Sequence, residues 1–288
     1  MHPRPSRATG AAVPFSARWY CRRMPLDLDL ALATARRAVE AASAASMAHF
    51  RAGVRVETKP DRTPVTAADR DAEAAVLAAI RATFPTHAIL GEETGAHAGD
   101  AATRWVVDPI DGTRGFTRGG SFWGPLVALE HEGRVVAGAM AMPALGETYW
   151  AARGRGAWMA RDGAEPLQLR VSGIADWAES SLSFGEFRGV FAPERERAVL
   201  DLARTAAQAR CYGDLAGAAM VLTGRAAAWV EAGVQVWDIA PLLVLAEEAG
   251  GRFTDLAGKA TAASGNCLLS NGRVHDHVLR ALSARAGD

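Results

Sequence analysis

Four acidic positions in this 288-residue chain stand where short apolar runs end, and together they could hold a divalent cation. Glu92 follows Ala88-Ile89-Leu90-Gly91, Asp108 and Asp111 follow Trp105-Val106-Val107, and Asp238 follows Val236-Trp237. A side chain at a strand end is held by a rigid scaffold yet reaches solvent, which is where α/β proteins often place reactive groups. In Asp108-Pro109-Ile110-Asp111 the proline fixes its own φ and keeps Asp108 extended. The turn can then bring both carboxylates and the Ile110 carbonyl toward one point. A set of oxygen ligands without His or Cys selects a hard cation, magnesium rather than zinc or copper. Gly112 and Thr113 come next. Glycine lets a ligand approach the backbone, and if a helix starts here the free N–H groups of Gly112 and Thr113 face an anion such as phosphate. Each signal has a plainer alternative when taken alone. Asp-Pro-x-Asp-Gly is commonly a turn, Asp238 could be a helix N-cap, and Glu92-Glu93 could be a solvated pair. The weight lies in the combination.

Those residues need elements to position them. Apolar spacing from Leu26 to about Phe50 predicts a helix, and a second helix is expected from near Thr66 to Phe84, stopped by Pro85, with Asp69 in its first turn. Strand-like runs follow at 87–91, 104–108, 123–130, 134–142 and 147–151, with Glu132-Gly133 read as a hairpin connection, and a further strand near 181–185. In the last third, helical patterns at 194–207, 214–223, 238–249 and 273–284 alternate with strands near 209–212, 226–231, 251–254 and 266–270, which suggests an α/β layer. The reading divides the chain into residues 1–25, an N-terminal α+β subdomain at 26–178 with most of the metal ligands, and a C-terminal α/β subdomain at 179–288 with Asp238. The first segment, basic and free of acids through Arg23, reads as a disordered tail or as a start assigned upstream of Met24.

Composition narrows the classes further. The chain is 49% hydrophobic and 22% charged with zero formal net charge, so nothing in the overall balance favours nucleic acid or a membrane surface. No charge-free apolar run is long enough to span a bilayer. Cys21, Cys211 and Cys267 are scattered and odd in number, which argues against a disulfide framework and fits a reducing cytoplasm.

Four blocks then occur in one order: KPDRTPVTAAD at 59–69, GEET at 91–94, WVVDPIDGT at 105–113 and VWDIAPLLVLAEEAGG at 236–251. They resemble the inositol monophosphatase superfamily over almost the whole chain after residue 26. Within it, GTRGFTRGGSFWGPLVAL at 112–129, RCYGD at 210–214 and GNCLLSNGRVHDHVL at 265–279 are most similar to the histidinol-phosphate phosphatase branch. Inositol monophosphatases usually carry GTTNF, and phosphoadenosine-phosphate phosphatases GTKEF, where this chain has GTRGF. The resemblance implies a layered αβαβα sandwich of mixed α/β (α+β) class, usually a homodimer. It also implies hydrolysis of a small phosphorylated alcohol with about two to three magnesium ions per site.

Residue by residue, it implies metal ligation by Glu92, Asp108, the Ile110 carbonyl, Asp111 and Asp238. It implies that Thr113 and Asp69, with Glu92, orient and activate a water that attacks phosphorus in line, with no covalent intermediate. Gly112 and Thr113 match phosphate-binding backbone, and Glu231, Arg210 and Asp214 match substrate-side positions. Pro241 departs mildly from the pattern and is expected in the first turn of its helix, where proline is tolerated. An inositol monophosphatase, or a broad sugar-phosphate phosphatase, is the alternative. A magnesium-binding regulatory protein without turnover would be expected to have lost Thr113, Asp69 or a ligand, and all are present. Arg114 could contact substrate or neutralise nearby acids. His275 and His277 read as solvated, since two residues apart on a helix they point to different sides. Trp105 and Trp237 flank ligands and are expected to pack under the site, and Trp123 to wall the pocket.

Overall fold

The computed structural model describes residues 26–52, 56–58 and 64–283. The segment 1–25, with the expectation of a tail, lies outside them. In chain order the elements begin with α1 (Leu28–Ala52), the ribbon strands β1 (Val56–Thr58) and β2 (Pro64–Thr66), and α2 (Ala67–Thr83). There follow β3 (His87–Gly91), β4 (Gly95–His97), the long β5 (Asp100–Asp111), one turn of helix α3 (Thr113–Phe116), β6 (Gly124–His131), β7 (Arg134–Met142), β8 (Glu147–Ala152), β9 (Ala157–Arg161) and β10 (Leu167–Gln168). The remainder is β11 (Ser181–Phe184), α4 (Phe187–Val190), α5 (Glu196–Thr205), β12 (Gln208–Cys211), α6 (Asp214–Leu222), β13 (Ala228–Ala232), α7 (Val236–Glu248), β14 (Arg252–Thr254), β15 (Asn266–Ser270) and α8 (His275–Ser283).

Two large sheets organise these elements. One has the order β10-β9-β8-β7-β6-β5-β3-β4 and is antiparallel except where β3 runs parallel to β5; the other has the order β12-β11-β13-β15-β14. Period-2 alternation on β5 sends Trp105 and Val107 to one face and Val106 to the other. The first face packs under α1 and α2, and the small buried stripe Ala31, Ala35, Ala38, Val39 and Ala42 of α1 brings that helix close to the sheet. The second face meets α6 and α7, which also cover the smaller sheet. The far side of that sheet is closed by Val199 and Leu202 of α5 and by Val278 and Leu282 of α8. The layers therefore run α, β, α, β, α. The sheets draw on residues up to Gln168 and from Ser181 on, but α7 packs against β6 and β7 as well as β14 and β15, so one middle core joins them.

The hairpin expected at Glu132-Gly133 is present, with both residues at positive φ, the two-residue turn whose twist matches its strands. Other details differ from expectation. β5 continues through Pro109 to Asp111, because the proline sits where the pairing with β6 shifts register and no ladder donor is required. The short β4, β9, β10, α3 and α4 carried no periodicity long enough to read. The helix expected at 238 begins at Val236, so Pro241 lies in its second turn, not its first. It is accommodated by Gly138 of β7, where a Cβ would come within 2.8 Å of the proline ring.

Of the aromatic expectations, the one for Trp123 needs correcting. Trp105 is fully buried in the middle of β5, three residues before Asp108 and in one core cluster with Ile110, and it donates to His87 Nδ1 at 3.2 Å beside Phe84. Trp123 is core rather than pocket wall. Its Nε1 donates to the Gly120 carbonyl at 3.0 Å and its ring meets Phe116 edge-on at 4.6 Å, which locks the loop between α3 and β6. Trp237 is half-buried against the middle core.

His275 is fully buried, not solvated, while His277 is exposed as expected, with its ring beside Trp177. The Thr254 hydroxyl donates to the Asp255 carbonyl, so it accepts from His275 Nε2 at 3.0 Å, and the Ser270 hydroxyl donates to Nδ1 at 2.8 Å. The ring is thereby held neutral, and burial first, then the Arg252 charge, lower its pKa from 6.5 to about 4. As pH falls the unfolded chain takes up this proton first, so the stabilisation is complete above the ordinary value and is lost on descent toward the lowered one. Urea unfolding at pH 7 and pH 5 should show the wild type losing about 2 kcal/mol more than a His275→Gln variant, which cannot titrate. Equal losses in the two proteins would exclude His275 as the cause.

Candidate active site

Asp108, Asp111 and Asp238 converge, each offering an oxygen within 4.8 Å of the others. The first two leave the end of β5, and the third comes from the opposite layer on the first turn of α7. Asp108 is buried, and its Oδ1 accepts the Ile110 N–H at 2.9 Å, an Asx-type closure that fixes the Pro109-Ile110 turn. Burial pushes the Asp108 carboxyl well above the usual carboxylate range, and the charges of Glu92, Asp238 and Asp111 push it further, Glu92 the most of the three. Removing carboxylates from water beside one another is costly unless positive charge joins them. The donor set is oxygen throughout, which fits magnesium.

Glu92 stands at the rim of this cluster, first in the three-residue loop of the β3–β4 hairpin, with its N–H donated to the Val107 carbonyl at 3.1 Å. Gly112 adopts the left-handed conformation, φ 77°, at the N-cap of α3, which a side chain would resist. Helix geometry leaves the amides at this end without intrahelical acceptors, on the side where Asp111 ends the strand. Thr113 opens the helix. Its hydroxyl donates to the Ile110 carbonyl at 3.0 Å and lies 3.5 Å from Asp69 Oδ1, so the expected Thr113–Asp69 pair is brought together at the outer limit of a hydrogen bond, with the shorter contact elsewhere.

Two helices deliver an acid to this centre in the same way. Asp69 is the third residue of α2, and its Oδ2 accepts the Thr66 N–H and the Thr66 hydroxyl, each at 2.7 Å. Asp238 is the third residue of α7, and its Oδ2 accepts the Gln235 N–H at 2.8 Å. The N-cap of α7 is thus Gln235, and Asp238 completes a capping box from inside the helix. In both, a carboxylate clamps the chain entry while the positive end of the helix favours its charge.

Glu231, buried on the central strand β13, lines a small cleft with Asp111, Asp238, Leu215 and Trp229. Its Oε1 accepts the N–H groups of Glu186 and Ala232 at 2.8 and 2.9 Å. Arg210 lies on the edge strand β12, exposed, with Nη1 donating to the Ala209 carbonyl, and makes no contact with the carboxylates among the described residues. Arg114 is exposed and forms no ion pair among the described residues. Asp214 heads α6, and its side chain lies outside those described. The sequence reading missed Glu73, fully buried on α2, which accepts from the loop after Glu92. A signal was available. Asp69 and Glu73 are four apart and fall on the same face as Ala72, Val76 and Ile80, where acids are unexpected.

Residues 27–286 match the inositol monophosphatase family. The chain is 41% identical over 261 residues to the histidinol-phosphatase of Mycobacterium tuberculosis, covering 90% of this chain and 98% of the relative. It is 38% identical over 251 residues to the histidinol-phosphatase of Streptomyces coelicolor, covering 85% and 94%. The structure of an inositol monophosphatase from Anabaena superposes with a TM-score of 0.76 at 30% identity, covering 88% of this chain and 96% of that one.

Proposed function

The chain belongs to the inositol monophosphatase family and is a phosphoric monoester hydrolase, and from that premise we propose that its substrate is histidinol phosphate and its cation magnesium. The observation that carries the reading is the convergence of Asp108, Asp111 and Asp238 beside the Gly112–Thr113 backbone. Asp108, Asp111, Asp238, Glu92 and the Ile110 carbonyl would hold about two or three ions. Bound there, divalent cations neutralise phosphate charge, make an attacking water more acidic and stabilise the leaving alkoxide.

The chain's own residues do the rest. The amides of Gly112 and Thr113 receive phosphate oxygens. The single Thr113 hydroxyl proton has two acceptors, and were the Ile110 carbonyl taken up as a metal ligand, Asp69 would be the acceptor left to it. Asp69 Oδ2 is already fixed by Thr66, so Oδ1 faces this proton. The Thr113 oxygen is then free to accept from the water that Glu92 also orients, and that water attacks phosphorus in line without a covalent intermediate. Glu231, in the cleft it shares with Asp111 and Asp238, faces the alcohol, and Arg114, Arg210 and Asp214 are the further residues this reading assigns to the substrate side. A buried carboxylate suits histidinol, whose ammonium is cationic, better than a neutral polyol. The same reading takes the enzyme to be a cytoplasmic homodimer.

Phosphate release with magnesium should be compared for histidinol phosphate, inositol 1-phosphate and phosphoadenosine phosphate. The expected kcat/KM favours histidinol phosphate by more than about tenfold, since losing a charged partner of buried Glu231 costs at least that. A tenfold preference for inositol phosphate would overturn the substrate assignment and leave the hydrolase intact.

A further inference from the structure

We propose that Glu73 is a positioning residue for Glu92, acting through the backbone of the β3–β4 loop to set how tightly the site holds its cation. The inference rests on the cation reading given above. Glu73 sits one helical turn beyond Asp69 on α2, and no part of it reaches solvent. Three donors converge on its carboxylate. Oε2 accepts the Glu93 N–H at 2.8 Å, and Oε1 accepts the Thr94 N–H at 2.9 Å together with the Thr94 hydroxyl. The hydroxyl proton is directed at Glu73, so His97 Nε2, 2.6 Å from the same oxygen, must donate to it.

Glu92 is therefore pinned from both sides. Its own N–H is tied to Val107 of β5, and the next two amides are tied to α2. The glycine before it belongs to the same arrangement, because a Cβ at Gly91 would stand 2.5 Å from Glu73 Oε1. Only glycine lets the carboxylate lie against the strand end. A single buried acid thus couples the helix that carries Asp69 to the loop that carries Glu92, and so holds two of the site's acids in one frame.

Glutamine cannot replace this group, since its amide end would present donors to donors. The test is calorimetric titration of Mg2+ into the metal-free, full-length protein, run beside the Mg2+ dependence of turnover. For Glu73→Gln the Kd for Mg2+ and the half-activating concentration should rise about tenfold, with kcat at saturating Mg2+ within about threefold of wild type. Thr94→Val, at an exposed position, should raise both about threefold, and Thr94→Ser should restore them, as expected for an outer-sphere hydrogen bond. A Glu73→Gln protein that melts earlier yet binds Mg2+ with wild-type affinity would make Glu73 merely structural and overturn the proposal. If Glu73→Gln does not fold, equal Mg2+ affinities in Thr94→Val and Thr94→Ser overturn it. A wild-type chain that binds no Mg2+ would sink the cation reading itself, a different failure from loss of the Glu73 effect.

Discussion

Asp111→Asn is expected to lower kcat/KM by about a thousandfold or more at millimolar Mg2+, because one ionic ligand is worth several kcal/mol of charge stabilisation in the transition state. Asparagine keeps the shape and one oxygen, so the change isolates charge. The fold should be retained for a specific reason. Asp111 is half-buried and adds to the repulsion that raises the Asp108 carboxyl, so removing its charge relieves the metal-free cluster. The variant's metal-free melting temperature should match or exceed that of wild type, while the upward shift on adding Mg2+ should shrink. Steady-state kinetics over a Mg2+ series and melting with and without the ion test both halves. Wild-type turnover in this variant would remove Asp111 from the cation site, and a collapse of the melting temperature would mean that its role is to hold β5.

The outcome is tied to how much of this centre could be read before the fold was known. The strand ends at Glu92, Asp108 and Asp111 were legible because these acids follow apolar runs that form β3 and β5, whereas the Val236-Trp237 pair before Asp238 opens helix α7. What could not be read was the distance across layers. Asp238 lies 127 residues beyond Asp111 and reaches it only because α7 packs between the two sheets, a contact that no local pattern carries. The helices were legible by apolar spacing, and that spacing concealed Glu73, because an acid within a helical stripe stands out less than one that ends an apolar strand. His275 was misread for the complementary reason. Helical spacing separates its direction from that of His277 correctly, but whether a direction is wet depends on β14 and β15, whose Thr254 and Ser270 hydroxyls receive the ring. Short elements such as α3 and β4 had too few residues for any period, although α3 carries Thr113 and the loop before β4 carries Glu92.

Thr113→Ala is the second change of large expected effect, and it separates chemistry from binding. The hydroxyl gives its proton to Ile110 at 3.0 Å or to Asp69 at 3.5 Å, and its oxygen is the group that would hold the attacking water. Alanine removes that acceptor and leaves the backbone of Gly112 and Thr113 in place, so phosphate should still bind. Losing a positioned water partner in a proton-transfer step is expected to lower kcat about a thousandfold, with KM and the inhibition constant of inorganic phosphate within about threefold of wild type. The stability cost should be small, about 1 kcal/mol for one partly buried hydrogen bond. Thr113→Ser keeps the hydroxyl and should retain turnover within about tenfold, since only the methyl that restricts its rotamer is lost. Parallel losses in kcat and phosphate affinity would assign Thr113 to phosphate binding alone. Wild-type kinetics in Thr113→Ala would leave Glu92 as the water's orienting group and reduce Asp69 to the cap of α2 that its bonds to Thr66 already make it.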